Sequence, residues 1–295
     1  MPTIAERWKV FATPNADAII WAALVALWIA PALISLAGQS WQTEAGSLAP
    51  ITLSLGLWTL YRTVMATHAP RSLSAQRVGV VGILILLPVH LFAAAIDMAP
   101  LLALSAWAGG CMAFVALNGW NRTRACAFPL MFIGLVVPLP YSLSLPFTFA
   151  LRAAVADWST DFARAIGMDA ALDGQIIIIG GYEVAVDAAC AGVNSTVSLV
   201  AIGLLYAYWA RRGGWARITA IALASIPIAL AANVLRVVAL MLLTQTLGPD
   251  ALATFWHPLA GIISFIAALL LLLSLDGILT GILASRCWKN AGMAT

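Results

Sequence analysis

The sequence predicts an all-α polytopic membrane protein of about eight transmembrane helices, with an outer interfacial helix and a small β-hairpin before the sixth span. Three observations carry this. Hydrophobic residues make up 63% of the 295-residue chain and charged residues only 9%, where soluble domains carry about 25% charged residues. Several apolar runs approach or exceed the roughly 20 residues that a helix needs to cross a bilayer, and the mean hydropathy is +0.98. The lysines and arginines fall on alternate loops. No soluble domain of useful size is left over, and the net charge of +3 matters less than its distribution.

The apolar runs lie near 18–37, 50–66, 78–97, 100–119, 125–141, 190–210, 218–243 and 258–280. The first is long for a signal peptide and no small-x-small cleavage site follows it, so it reads as a permanent span. No repeat or linker divides the chain. Residues 1–295 read as a single integral membrane domain, with an outer segment at 142–189 and catalytic spans at 190–280. With the N-terminus inside, Arg7, Lys9, Arg62, Arg71, Arg77, Arg122, Arg124, Arg211, Arg212, Arg217, Arg286 and Lys289 are cytoplasmic. Only Arg152, Arg164 and Arg236 are outside. That is the asymmetry of the positive-inside rule, and it puts both termini in the cytoplasm.

The outer segment has two halves. In Phe147 to Ile166, residues Leu151, Val155, Trp158, Phe162 and Ile166 recur every three or four positions and form one apolar face. That predicts a helix lying in the interface, with Trp158 at headgroup level. Beyond it, Gln175 to Ile179 is β-branched, Gly180-Gly181 is a turn signal, and Tyr182 to Asp187 alternates. A hairpin therefore delivers the chain to Cys190. Its edge is suited either to pairing with an extended peptide or simply to covering helix ends.

Three residues share a depth. Cys190 to Arg211 is 21 residues, or roughly 31 Å of helix. Arg217 to Arg236 and His257 to Asp276 are 19 residues each, roughly 28 Å. With a hydrocarbon core about 30 Å thick, Cys190, Arg236 and His257 all reach the outer boundary on three successive spans. Each has a plain alternative: a small buried hydrophobe for Cys190, a snorkelling cation for Arg236, an interfacial ring for His257. Together they make a nucleophile, a fixed cation and a titratable acid–base. A helix N-terminus at Cys190 would favour thiolate, and Pro258 places His257 close to a helix cap. Asn194 and Asn233 lie one turn from Cys190 and Arg236, and Ser195 and Asp187 flank the same stretch; these four are supporting candidates.

The remaining residues offer less. His90 falls within a span, where a satisfied core histidine is expected, and His68 falls near a cytoplasmic loop. Cys111, Cys126 and Cys287 show neither metal spacing nor a disulfide framework. Neither H-E-x-x-H nor G-x-S-x-G occurs. No cofactor, metal or nucleic-acid partner is expected.

The stretches Ala189-Cys190-Ala191-Gly192-Val193-Asn194-Ser195, Asn233-Val234-Leu235-Arg236 and His257-Pro258-Leu259-Ala260-Gly261 resemble the exosortase/archaeosortase group of membrane transpeptidase-like cysteine enzymes. The approach from Gly174-Gln175-Ile176 to Val184-Ala185-Val186 is similar too, and the span pattern matches over about residues 80–280. The group's Cys-Ser-Gly-(aliphatic)-Arg-Ser is kept at Cys190, Gly192 and Ser195, while Ala191 and Asn194 depart from it. The resemblance implies a cysteine protease or transpeptidase of the bacterial inner membrane, acting on its periplasmic face. Its substrates would be exported proteins with a C-terminal sorting signal, often Pro-Glu-Pro, followed by a tail helix and a basic end. Cys190 would attack a carbonyl beside the motif, Arg236 would hold thiolate or oxyanion, and His257 would protonate the leaving amine. Membrane lipid surrounds the reaction, and the acceptor is left open among lipid, polysaccharide and water. The rival expectation is a small transporter or flippase with Arg236 and His257 lining a polar pathway. A structural partner in polymer export is a third.

Overall fold

The computed structural model describes residues 16–43, 46–67, 70, 72–185, 193–210, 214–248 and 255–292. The chain divides into two compact units, Met1–Pro140 and Tyr141–Thr295.

The first unit is helical. It comprises α1 (Ala16–Gly38), α2 (Ala49–Ala66), α3 (Leu73–Ala95), α4 (Ala99–Ala125) and α5 (Ala127–Ile133). Small residues let its backbones approach. A Cβ on Gly79 of α3 would stand 2.5 Å from the Met112 carbonyl, and one on Gly109 of α4 would overlap the Trp28 indole. The α3–α4 turn holds Asp97 at φ +48°. Its carboxylate accepts hydrogen bonds from Ser35 Oγ at 3.0 Å and Gln39 Nε2 at 2.8 Å, which tie the turn to the end of α1.

The second unit carries α6 (Tyr141–Ala165), strands β1 (Ala170–Asp173), β2 (Ile176–Ile179) and β3 (Tyr182–Ala185), and helices α7 (Val193–Trp209), α8 (Gly214–Leu247) and α9 (Trp256–Gly292). The strands form an antiparallel sheet in the order β1-β2-β3. Ile179 pairs with Tyr182, so Gly180-Gly181 is the expected two-residue turn, and both glycines have positive φ, as the favoured hairpin turn requires. The sheet has one strand more than expected: β1 pairs Ala170 with Ile179 and Asp173 with Ile176. Ile177 and Ile179 are fully buried against Val155, Ala156 and Ala163 of α6 and Val237, Val238, Leu240 and Met241 of α8. Beyond the sheet, α7 packs on α8, and α8 on α9.

The helix expected at 147–166 forms within α6, and the residues of its expected apolar face divide between the protein interior and the outside. Val155, Ala156, Ser159, Thr160 and Ala163 are buried, whereas Trp158, Phe162 and Ile166 are exposed. Large apolar side chains gain little by leaving an apolar solvent, so helices in membranes approach through small and hydroxyl-bearing residues.

Among the described residues, five helices are long and apolar enough to cross a membrane, or six if 127–136 and 141–165 count as one broken span. About eight were expected. The difference has identifiable causes. The stretch 125–141 is no single helix: α5 has seven residues, a 3-10 turn follows at Gly134–Val136, and the run ends at Pro138 and Pro140, where proline removes the donor that a helix needs. Helix α2 forms but carries Thr52, Ser54, Thr59, Tyr61, Arg62 and Thr63. In the stretch 190–210 the helix Val193–Trp209 is described over 17 residues, and positions 190–192 lie outside the described residues.

Candidate active site

The depths counted along the sequence have a fixed reference at one end of the second unit. Arg217, near the start of α8, donates from Nε to Asp276 Oδ1 of α9 at 2.7 Å, and its Nη2 pairs with Oδ2. Tyr206 Oη of α7 donates to Asp276 Oδ2 at 3.0 Å. This buried cluster joins three helices at one level. From it, α8 climbs 19 residues to Arg236, and α9, running antiparallel, is traced back the same 19 residues to His257. Equal rise places the two backbone positions abreast, roughly 28 Å from the cluster.

The guanidinium of Arg236 reaches back from that level. A helical side chain tilts toward the N-terminus of its own helix, and Arg236 lines a cavity of about 20 Å³ with Ala229, Ala232 and Asn233, all N-terminal to it on α8. Across the cavity stand Leu199 of α7 and Gly261, Ser264, Phe265 and Ala268 of α9. Gly261 meets the guanidinium directly: its Cβ position is 3.3 Å from Arg236 Cζ. Arg236 is thus seated between helices, and the outward-snorkelling alternative does not describe it.

The other expected site residues fall as follows. Asn233 is buried at 3% exposure, one turn below Arg236 in the same cavity. His257 lies inside the first turn of α9, which starts at Trp256; it is one turn from Gly261 and is the second residue of the helix, inside it rather than at its cap. Asn194 and Ser195 lie in the first turn of α7 as described from Val193. Cys190 and Asp187 lie outside the described residues. Leu199, two turns into α7, faces the cavity of Arg236, so α7 rises toward the Arg236 end of the unit.

Competing residues are accounted for. His90 is buried, stacks on Trp28 at 4.2 Å between ring centroids, and meets Ser105 Oγ through Nδ1 at 2.9 Å. It is the satisfied core histidine that its position suggests. Cys111 lines an apolar cavity of about 340 Å³ in the first unit, among Leu, Ile, Ala and Phe side chains. Cys126 is fully buried behind α4.

Sequence reasoning did not single out Gly261 as a contact of Arg236, nor Ser264. Their signal was present. Gly261, Ser264 and Ala268 on α9, and Ala229, Ala232 and Arg236 on α8, follow three- and four-residue spacing, the mark of two helices that meet through small residues.

The model of the transmembrane exosortase family matches residues 40–274, which include both the Cys190 stretch and the Arg236–Gly261 contact. The chain belongs to the transmembrane exosortase family. No curated protein and no solved structure matches it. This exosortase is therefore an integral membrane protein of the sorting-transpeptidase kind, and the alternatives of transporter and passive export partner lose their ground.

Proposed function

We propose that this exosortase is a membrane-embedded cysteine protease or transpeptidase that removes the C-terminal sorting signal of exported proteins at the outer face of the bacterial inner membrane. The observation that carries this is the register of α8 and α9. Two contacts, Arg217–Asp276 and Arg236–Gly261, hold the helices so that Arg236 and His257 belong to one level. Cys190 precedes the helix that faces the same cavity through Leu199.

In this reading, Cys190 thiolate attacks the carbonyl carbon beside the recognition motif. A C–S bond forms and the carbonyl oxygen takes up negative charge, which Arg236 offsets. The C–N bond then breaks, and His257 gives a proton to the departing amine. The tail helix leaves with that amine, and the exported protein remains as a thioester on Cys190. An acceptor on a lipid or polysaccharide, or water, loses its proton to His257 and attacks the thioester. The C–S bond breaks and the thiolate returns. Both termini lie in the cytoplasm, and a Pro-Glu-Pro-type motif is the expected signal.

The deciding experiment replaces Cys190 with Ala or Ser. Ala leaves little cavity and should cost little stability, and a serine hydroxyl has too high a pKa to substitute. The expected outcome is a normally inserted protein that accumulates substrate with its C-terminal helix attached. Normal processing by well-expressed Cys190→Ala protein would refute the cysteine mechanism.

A further inference from the structure

We propose that Gly261 is a positioning residue for Arg236, setting the plane in which its guanidinium meets negative charge; the inference rests on the reading of Arg236 given above. The geometry is specific. A Cβ on Gly261 would stand 3.3 Å from Cζ, 3.4 Å from Nη2 and 3.6 Å from Nε of Arg236. Three atoms of one plate at nearly equal distance from one point mean that the plate presents its face to that point. The guanidinium therefore lies flat over the bare Cα of α9. Such a contact uses none of its five N–H donors, which radiate in the plane of the plate. The glycine fixes the tilt of the fork and leaves its edges to other partners.

The neighbours sharpen the assignment. Around the guanidinium the cavity is walled by Ala229, Ala232, Ser264 and Ala268 together with Leu199, Asn233 and Phe265. Elsewhere on α9 a glycine carries no such duty, since a Cβ on Gly277 would meet nothing within 4 Å. Position 261 is also one turn from His257 on the same helix, so a shift of the plate is a shift relative to the proposed acid–base. Adding one methyl would displace the guanidinium by tenths of an ångström; adding three carbons would expel it.

The test compares Gly261→Ala, Gly261→Val, Gly277→Ala and Arg236→Gln in the full-length protein, purified in detergent and also expressed with its substrate. Two quantities are read: the processing rate per folded molecule, and the pH dependence of maleimide alkylation at Cys190, resolved by mass spectrometry. Gly261→Ala should slow processing about 10-fold and Gly261→Val about 100-fold, the scale expected for misplacement of a reacting group by up to about 1 Å. Both should move the alkylation midpoint upward, toward that of Arg236→Gln, because a displaced cation no longer favours thiolate. Gly277→Ala should match the parent in both, which controls for helix propensity. If Gly261→Val does not fold, Gly261→Ala decides. A Gly261→Ala protein with the parent's rate and alkylation midpoint would overturn the positioning role while Arg236→Gln remained inactive. Unimpaired processing by Arg236→Gln would instead overturn the role of Arg236 itself.

Discussion

Helix α8 holds one arginine near each end of its span, and the two are held in opposite ways. Arg217 meets a carboxylate edge to edge, and Asp276 accepts from its Nε and Nη2 and from the Tyr206 hydroxyl besides. Arg236 lies face down on Gly261 in a cavity between α7, α8 and α9. The first arrangement matches charge inside the protein and joins three helices. The second fixes a position through van der Waals contact and leaves the fork's edges unused by that contact. The cation matched to a resident anion ties helices together; under the proposed function, the one bedded on Gly261 is placed to meet the charge that develops on the substrate.

The contrast can be broken from either end. The largest effect is expected at Asp276. Asp276→Ala strands a buried guanidinium, which costs about 3–5 kcal/mol, and thermal unfolding in detergent should show it together with reduced yield. The pair Arg217→Met with Asp276→Leu should recover most of that loss. A fully stable Asp276→Ala protein would show that the cluster does not set the register. At the other end, Arg236→Lys should leave thermal stability near that of the parent. It should lower processing about 10²- to 10³-fold, the scale for losing a transition-state donor, because an ammonium cannot reproduce the planar fork. Stability lost in step with activity would erase the distinction between the two arginines. The smallest effects belong to α6. Ala163→Leu should cost about 1–3 kcal/mol by overpacking, whereas Phe162→Ala on the exposed face should change stability by less than about 0.5 kcal/mol. Equal losses at both positions would show that the large residues of α6 are packed as tightly as its small ones.

What could be read from the sequence followed from simple periods. Counting 19 residues along each of two helices puts Arg236 and His257 at one depth as an expectation, and the Arg217–Asp276 pair supplies a common starting level for both counts. Two adjacent glycines fixed a hairpin. The errors arose where local pattern gave way to context. Ala170–Asp173 has no β-branched residue, so nothing local favours a strand; pairing with Ile176–Ile179 makes it one. The signal available was Gly174-Gln175, the two residues between the paired Asp173 and Ile176, with Gly174 at φ +63° in the first turn position. On α6 the periodicity locates one apolar face, but which of its residues pack inward depends on size: Val155 is buried while Trp158, Phe162 and Ile166 are exposed. At 125–141 apolar composition outweighed Pro138 and Pro140. The partnership of Arg236 with Gly261 was invisible because a glycine's contribution is the atom it lacks.

Helix α8 does not stop at Arg236. It continues for eleven residues to Leu247, about 16 Å of further rise. Val237, Val238, Leu240 and Met241 of this extension are buried against the sheet and α6. The hairpin turn stands beside Gln245, with the Gly180 Cβ position 4.0 Å from its Cγ. On that side the arginine lies at the foot of a parapet. A polypeptide in extended form covers about 3.3 Å per residue, so under the proposed function roughly five residues would separate a bond held level with Arg236 from the first residue clear of the rim. In that reading the length of a single helix, graduated in residues, is a ruler along one side of the site.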